Sequence, residues 1–431
     1  MVRICIGLLI QALLIFAVTL TAGAQTLYSL KDLCRLANEN AEAIKIADED
    51  LYIAQQEKVR ARSVLIPRAT LYGDYLNYKN DQPSFADTTT VGGKLTQSFT
   101  LNGRELIAYD VSKQGIEKAS FSRETVRSDY IFQVAQAYVQ AISLKRLVEV
   151  TNADVERLVA HRNSVNEKLN VGNVTKTALY RAEAELSRAK TDQIVAVNDV
   201  KSAKAGIARL VGVEDDFQVS EDALGKIQEF ATTPEEIQTK ALGQRYEIKE
   251  AQKALEIARK TVSYERGDYW PSVSLEGGYN DYDIRYDTSA GTRFDYEPGS
   301  AYIQAQVQFT LFDAGLRSAQ VRQALAKQRQ AEAALSDQKK KIRLESRNAY
   351  LDFITAKNTW INLKDELKSA TENYAAVQMQ FKYGMANSVD IMDANTLLVT
   401  SERRLSNAEY AYYLAILRIT YTQGDILEQL L

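Results

Sequence analysis

Residues 302–311 read YIQAQVQFTL, and the alternation is strict. Ile303, Ala305, Val307, Phe309 and Leu311 fall on one side; Gln304, Gln306, Gln308 and Thr310 fall on the other. A period of two belongs to a β-strand, whose successive side chains point to opposite faces. One face is therefore apolar along its whole length while the other is polar. Just beyond, FDAGLR (312–317) turns the chain into a segment with helical periodicity.

The same passage occurs earlier in the chain. Gly103, Ala137, Tyr138, Gly172, Ala182 and Gly212 recur as Gly315, Ala349, Tyr350, Gly384, Ala394 and Gly424, each pair 212 residues apart. Roughly 110 residues thus repeat without a gap, a period that must be recognised before any fold is assigned. Upstream the spacing is 204, placing Pro67 on Pro271 and Tyr75 on Tyr279. The eight extra residues of the second copy fall where KNDQPSFADTTT (79–90) faces the longer DIRYDTSAGTRFDYEPGS (283–300), both rich in turn formers.

The repeat sets the expected organisation. Residues 1–24 read as a secretory signal: Arg3, an apolar run from Ile4 to Leu20, and Ala22 and Ala24 before Gln25. The first repeat covers 25–212, with a helix, strands near 68–80 and 91–101, and a long helical hairpin whose tip lies near 172. A linker, 213–233, joins it to the second repeat, 234–424, with strands near 272–284 and 301–311 and a tip near 384; a tail, 425–431, follows. Pro234 with the acids after it marks a helix start.

Each strand has roughly the 9–11 residues that a tilted membrane-spanning strand needs. In VGGKLTQSFTL (91–101), Val91, Gly93, Leu95, Gln97, Phe99 and Leu101 oppose Lys94, Thr96, Ser98 and Thr100; Val273, Leu275 and Tyr279 repeat the theme. Tyr72, Tyr75, Tyr78, Tyr279, Tyr282 and Tyr302 can form an interfacial girdle. A soluble half-buried sheet shows the same alternation. If the strands do span a membrane, four cannot close a barrel, because the smallest have about eight and open edges are not tolerated in lipid. The chain must then oligomerise.

Arg104 to Asn170 is a run of 67 residues without proline, about 100 Å of helix at ~1.5 Å per residue. The returning helix has a heptad seam: Leu179, Ala182, Leu186, Ala189, Gln193, Ala196, Val200, Ala203, Ile207 and Leu210, repeated as Ile391, Ala394, Leu398, Ser401, Leu405, Ala408, Tyr412, Ala415, Ile419 and Thr422. Spacing of alternately three and four makes helices supercoil against neighbours.

Composition excludes several classes of function. With 53 basic and 56 acidic residues interleaved there is no footprint for nucleic acid. Cys5 lies in the signal and Cys34 is then alone, which excludes an internal disulfide; no cysteine follows the cleavage site, so no lipid anchor is expected there. The single histidine, His161, sits beside Arg162 in a helix and reads as a surface residue. Without a second histidine or a phosphate-cradling glycine loop, no enzyme, cofactor or metal site is expected.

The doubled layout, the strand-to-helix junctions QSFTLNGRE (97–105) and QFTLFDAGLR (308–317), and the turns LNVGNVT (169–175) and YGMANSVDIMDA (383–394) resemble the TolC-like outer-membrane efflux proteins. The resemblance runs from about Leu27 to Gly424. It implies a mainly α fold with membrane β: a homotrimer whose four strands per protomer join in one outer-membrane β-barrel, surrounded by outer-membrane lipid and continued by a periplasmic coiled-coil α-barrel. It implies the exit duct of a tripartite efflux or type I secretion system, fed by an inner-membrane pump and a periplasmic adaptor protein. The adaptor-docking tips would be Gly172, Asn173, Val174 and Thr175, with Gly384, Met385, Ala386 and Asn387.

Asp390 and Asp393 align with the paired aspartates that line the periplasmic entrance in that family, where a trimer would gather six carboxylates and attract cations. An ordinary role is equally open and compatible: Asn387 or Ser388 can cap the helix, with Asp390 supplementing its dipole. An aspartate and an arginine that the family uses to tie the closed state are Ala178 and Ala386 here, so a latch carried by those two side chains is not expected. The alternative to a channel is a non-channel periplasmic coiled-coil adaptor or scaffold with a small sheet.

Overall fold

In the computed structural model, which describes residues 26–77, 87–215, 217–220, 231–287, 293–296 and 299–431, the two periodicities separate into helices and strands. The expected signal segment 1–24, Tyr78 and the middle of the inter-repeat linker lie outside the described residues. In chain order the elements are β1 (Thr26–Tyr28), α1 (Leu30–Asn40), α2 (Glu42–Ser63), β2 (Arg68–Asn77), β3 (Asp87–Thr100), α3 (Arg104–Asn170) and α4 (Lys176–Val211). Then come β4 (Phe217–Val219), α5 (Pro234–Gln244), α6 (Tyr246–Arg266), β5 (Ser272–Asp287), β6 (Arg293–Tyr296), β7 (Ser300–Gln308), α7 (Leu316–Lys382), α8 (Ser388–Gln423) and α9 (Ile426–Leu430). The fold is mainly α with one principal antiparallel sheet, and α3 and α7 are both 67 residues long.

One unit comprises Lys45–Val126 and Leu242–Ile342 and contains that sheet. β2 pairs with β3 from Arg68↔Thr96 to Asn77↔Asp87, and β3 pairs with β5 from Thr100↔Ser272 to Asp87↔Arg285. The far side of β5 carries β7 (Ser272↔Gln308 to Asn280↔Ser300) and then β6 (Ile284↔Tyr296 to Asp287↔Arg293). This register lines up Leu71, Val91, Leu95, Leu275, Tyr279, Ile303 and Val307 on one face. Among the described residues nothing covers that face: Leu71 is 90% exposed and Ile303 92%.

Three expectations about the strands change. β7 stops at Gln308, leaving Phe309, Thr310 and Leu311 outside it. Its partner strand begins at Ser272, after Pro271, which has no N–H to give and whose carbonyl is already taken by the Leu101 N–H at 3.0 Å. The second loop is not all loop, because β5 runs on to Asp287 and folds back as β6. The tyrosines expected at a girdle do not share one face: Tyr75 and Tyr279 stand on the apolar face, whereas strand parity puts Tyr72, Tyr282 and Tyr302 on the polar one.

The other unit comprises the chain up to Ile44, Arg127–Ala241 and Arg343–Leu431. Its largest core gathers Leu33, Cys34, Ile131, Tyr138, Ile142, Ile207 and Phe217, with Leu417 from the second repeat. The linker supplies β4, which pairs in parallel with β1 (Thr26↔Phe217 to Tyr28↔Val219). The C-terminal tail is helical and buries Ile426 and Leu430 in the same core. Each repeat's opening helix is interrupted, at Ala41 and at Arg245, where ψ values of 126° and 127° break the helical path. The heptad seams are buried, with Ala182, Leu186, Ala189, Ala196 and Ile207 on α4 and Ile391, Ala394, Leu398, Ser401 and Tyr412 on α8.

Candidate functional site

The helical tips are built by one turn used twice. Asn170 ends α3 and Lys382 ends α7, and the glycines that follow, Gly172 and Gly384, adopt φ of 77° and 79°. Only glycine takes that left-handed conformation without a steric penalty. The Gly172 N–H donates to the Leu169 carbonyl at 3.0 Å and the Asn173 N–H to that of Lys168 at 2.8 Å. The second copy repeats both bonds, Gly384 to Phe381 at 3.2 Å and Met385 to Gln380 at 2.8 Å.

The two turns then differ in how the next helix starts. Thr175 precedes α4 and makes no side-chain cap bond. Asn387 precedes α8, and its Oδ1 accepts the Val389 N–H at 2.7 Å and the Asp390 N–H at 3.1 Å, while the Asp390 carboxylate accepts the Asn387 N–H at 2.8 Å. Three N–H groups at the helix start are thus satisfied, with Asn387 and Asp390 capping each other reciprocally. The first copy holds Ala178 and Arg181 where the second holds Asp390 and Asp393. Asp393 is exposed and makes no hydrogen bond or ion pair among the described residues. Asp390 thus takes part in the cap, and Asp393 does not.

Both turns face one groove of about 950 Å³. Asn173, Val174 and Thr175 line it together with Gly384, Met385, Ala386 and Asn387, with Lys168, Arg181 and Lys382 adding positive charge and Asp390 negative. Gly172 and Asp393 do not line it. Val165, Ala182, Phe381 and Ile391 form the core beneath, and Ala178 and Ala386 pack against it. The Lys168 ammonium reaches the Phe381 carbonyl and lies 3.9 Å from the centre of its ring.

His161 corrects an expectation: it is buried rather than on the surface. Its Nε2 lies 3.0 Å from the Ser388 Oγ, at the start of α8, and its ring packs 5.3 Å from that of Phe381. Burial first, and the Lys168 charge second, push its pKa down to about 4. Further along α3 the Asp154 carboxylate accepts from the Asn395 amide at 2.8 Å. Arg157 donates to the Asn395 carbonyl oxygen at 3.1 Å and to both oxygens of Glu402 at 2.9 and 3.3 Å. None of these residues was singled out from sequence for a packing role. A signal existed, since Asp154, Leu158, His161, Val165 and Lys168 are spaced four and three apart, which places polar residues on a heptad seam.

Comparison with known proteins agrees with this anatomy. The sequence profile of the family described as outer membrane efflux protein matches the chain twice, over residues 33–213 and 238–424. The outer membrane protein TolC of Vibrio cholerae is 23% identical over 411 residues, covering 93% of this chain and 92% of that one. A membrane protein of Pseudomonas aeruginosa has a similar structure (TM-score 0.81, 18% identity), with 92% of this chain and 90% of that one covered. The outer membrane protein VceC of Vibrio cholerae is also similar (TM-score 0.79, 17% identity, coverage 92% and 96%). With both of its copies matched, the chain belongs to the outer membrane efflux protein family, whose members are channels for efflux and secretion in the outer membrane.

Proposed function

We propose that three copies of this chain form one duct through the outer membrane and into the periplasm, passively conducting cargo delivered by an inner-membrane pump through a periplasmic adaptor. The supporting observation is the sheet: among the described residues one face is predominantly apolar and uncovered, β2 pairs only with β3, and β6 and β7 pair only with β5. Both edges are therefore open, a state that lipid does not tolerate. Pairing the β7 edge of one copy with the β2 edge of the next keeps every neighbour antiparallel, and three copies give twelve strands around water.

The groove at the tips is the proposed adaptor site, and Asp390 and Asp393 are the proposed lining of the periplasmic entrance. Purified trimer in a planar bilayer should give stepwise conductance with cation preference. Combining Asp390→Asn with Asp393→Asn should lower that preference and relieve block by multivalent cations. A water-soluble monomer that never conducts would overturn the channel reading; a conducting double variant with unchanged selectivity would leave the acids to capping alone.

A further inference from the structure

The polar face of the sheet carries charge that neither the tips nor the lipid contact uses. Lys94 on β3 lies 3.1 Å from Glu276 on β5. Glu276 accepts two further bonds, from the Thr96 hydroxyl at 3.1 Å and from the Tyr302 hydroxyl at 2.8 Å. Tyr302 lies over Gly278, where a Cβ would come within 2.8 Å of its ring; on the next row Tyr72 lies across Gly92 and its hydroxyl reaches Asn280. The glycines let two rings lie along the sheet. Their hydroxyls end on a carboxylate and an amide, giving a belt of two adjoining hydrogen-bonded groups between β2 and β7 that holds one cation and one anion; on the same face Arg68 stands at the level of Thr96 and Glu276, balanced by Asp74 beyond Tyr72.

Strand parity puts this belt opposite Leu71, Leu95 and Ile303, the lipid-facing residues of the proposed duct. We infer that the belt is a second permeation determinant, at the barrel end, kept electrically neutral by the Lys94–Glu276 pair so that this end adds no charge preference of its own to that of the periplasmic entrance. The inference rests on the channel reading. A trimer presents three such pairs at one level, and losing one partner from each leaves an excess of three like charges there; rings of like charge are an arrangement by which pores select ions.

The test is reversal potential in a salt gradient across planar bilayers holding purified trimer. Glu276→Gln keeps an acceptor for Tyr302 but leaves Lys94 uncompensated. The anion-to-cation permeability ratio should rise about tenfold in dilute salt, the lower end of the enrichment that like-charged walls produce. Lys94→Met should move it the other way, and the two together should restore the wild-type ratio. All shifts should fade as salt shortens the screening length.

Single variants that conduct at the wild-type ratio, or a pair that fails to restore it, would overturn the inference. Thr96→Cys gives a version that needs no missing charge during assembly, since Cys34 is buried and silent. Labelling the assembled trimer with an anionic thiol reagent should favour cations and with a cationic one anions, and no response to either would also overturn it. A wild-type trimer that does not conduct refutes the channel reading itself, a distinct outcome.

Discussion

Asp390 and Asn387 cap each other: the carboxylate of one holds the backbone N–H of the other at 2.8 Å, and the amide oxygen of Asn387 holds the Asp390 N–H at 3.1 Å. Asp390→Ala should therefore loosen the first turn of α8 by about 1 kcal/mol. Faster hydrogen exchange of the Asn387 amide reads this directly. Asp393→Ala should leave the same amide unchanged, since Asp393 makes no bond there. If both variants loosen the turn equally, the division of labour between the two acids is wrong.

His161 makes the tip sensitive to acid. An unfolded histidine titrates near 6.5, whereas burial and then Lys168 hold His161 at about 4. Folding therefore favours the neutral ring. The resulting stability is whole above about pH 6.5 and is lost as pH falls toward 4, on the order of 3 kcal/mol in total. Local hydrogen exchange around Val165 and Ile391, followed between pH 7.5 and 4 and corrected for intrinsic rates, should show it. His161→Gln should flatten that slope, and an unchanged slope would mean another group titrates.

Neighbours on β7 should behave oppositely. Ile303 is 92% exposed on the apolar face, and Gln304 is on the polar one. An arginine on the lipid face costs about 2–4 kcal/mol at the bilayer midplane. Ile303→Arg should deplete detergent-stable trimer from outer-membrane fractions while Gln304→Arg assembles. Equal yields would argue for a sheet in water.

Cys34 is a built-in reporter of unfolding. It is buried in the core with Leu33 and Ile142, and burial pushes its thiol up to about 12. The thiolate is the reactive form, so folded protein at pH 8 should resist maleimide and react once denatured. Rapid labelling of folded protein would show that this core opens locally.

Most of the fold was legible before any coordinates. Glycines recurring at a fixed interval delimit two copies, proline-free runs of 67 residues become α3 and α7, and alternating residues become strands, because local periodicity decides which face of an element can be buried. The ends were less legible. Where β7 stops depends on Pro271, a residue 37 positions before Gln308 in the chain, and where the loop becomes β6 depends on how far β5 extends.

The sequence by itself determined the repeat, the long helices, the paired tip glycines and an apolar strand face, since each follows from spacing within a segment. Only the tertiary structure decided that His161 is buried against Ser388, that Arg157 bridges to Asn395 and Glu402, and that Tyr72 and Tyr302 lie on the polar face over glycines. The outcomes for His161 and Arg157 hinge on which residues from the other copy arrive opposite, more than 200 positions away, and those for Tyr72 and Tyr302 on which glycine the strand register brings beneath each ring. Burial and partnership are properties of pairs, and the period of one segment carries no information about its distant partner.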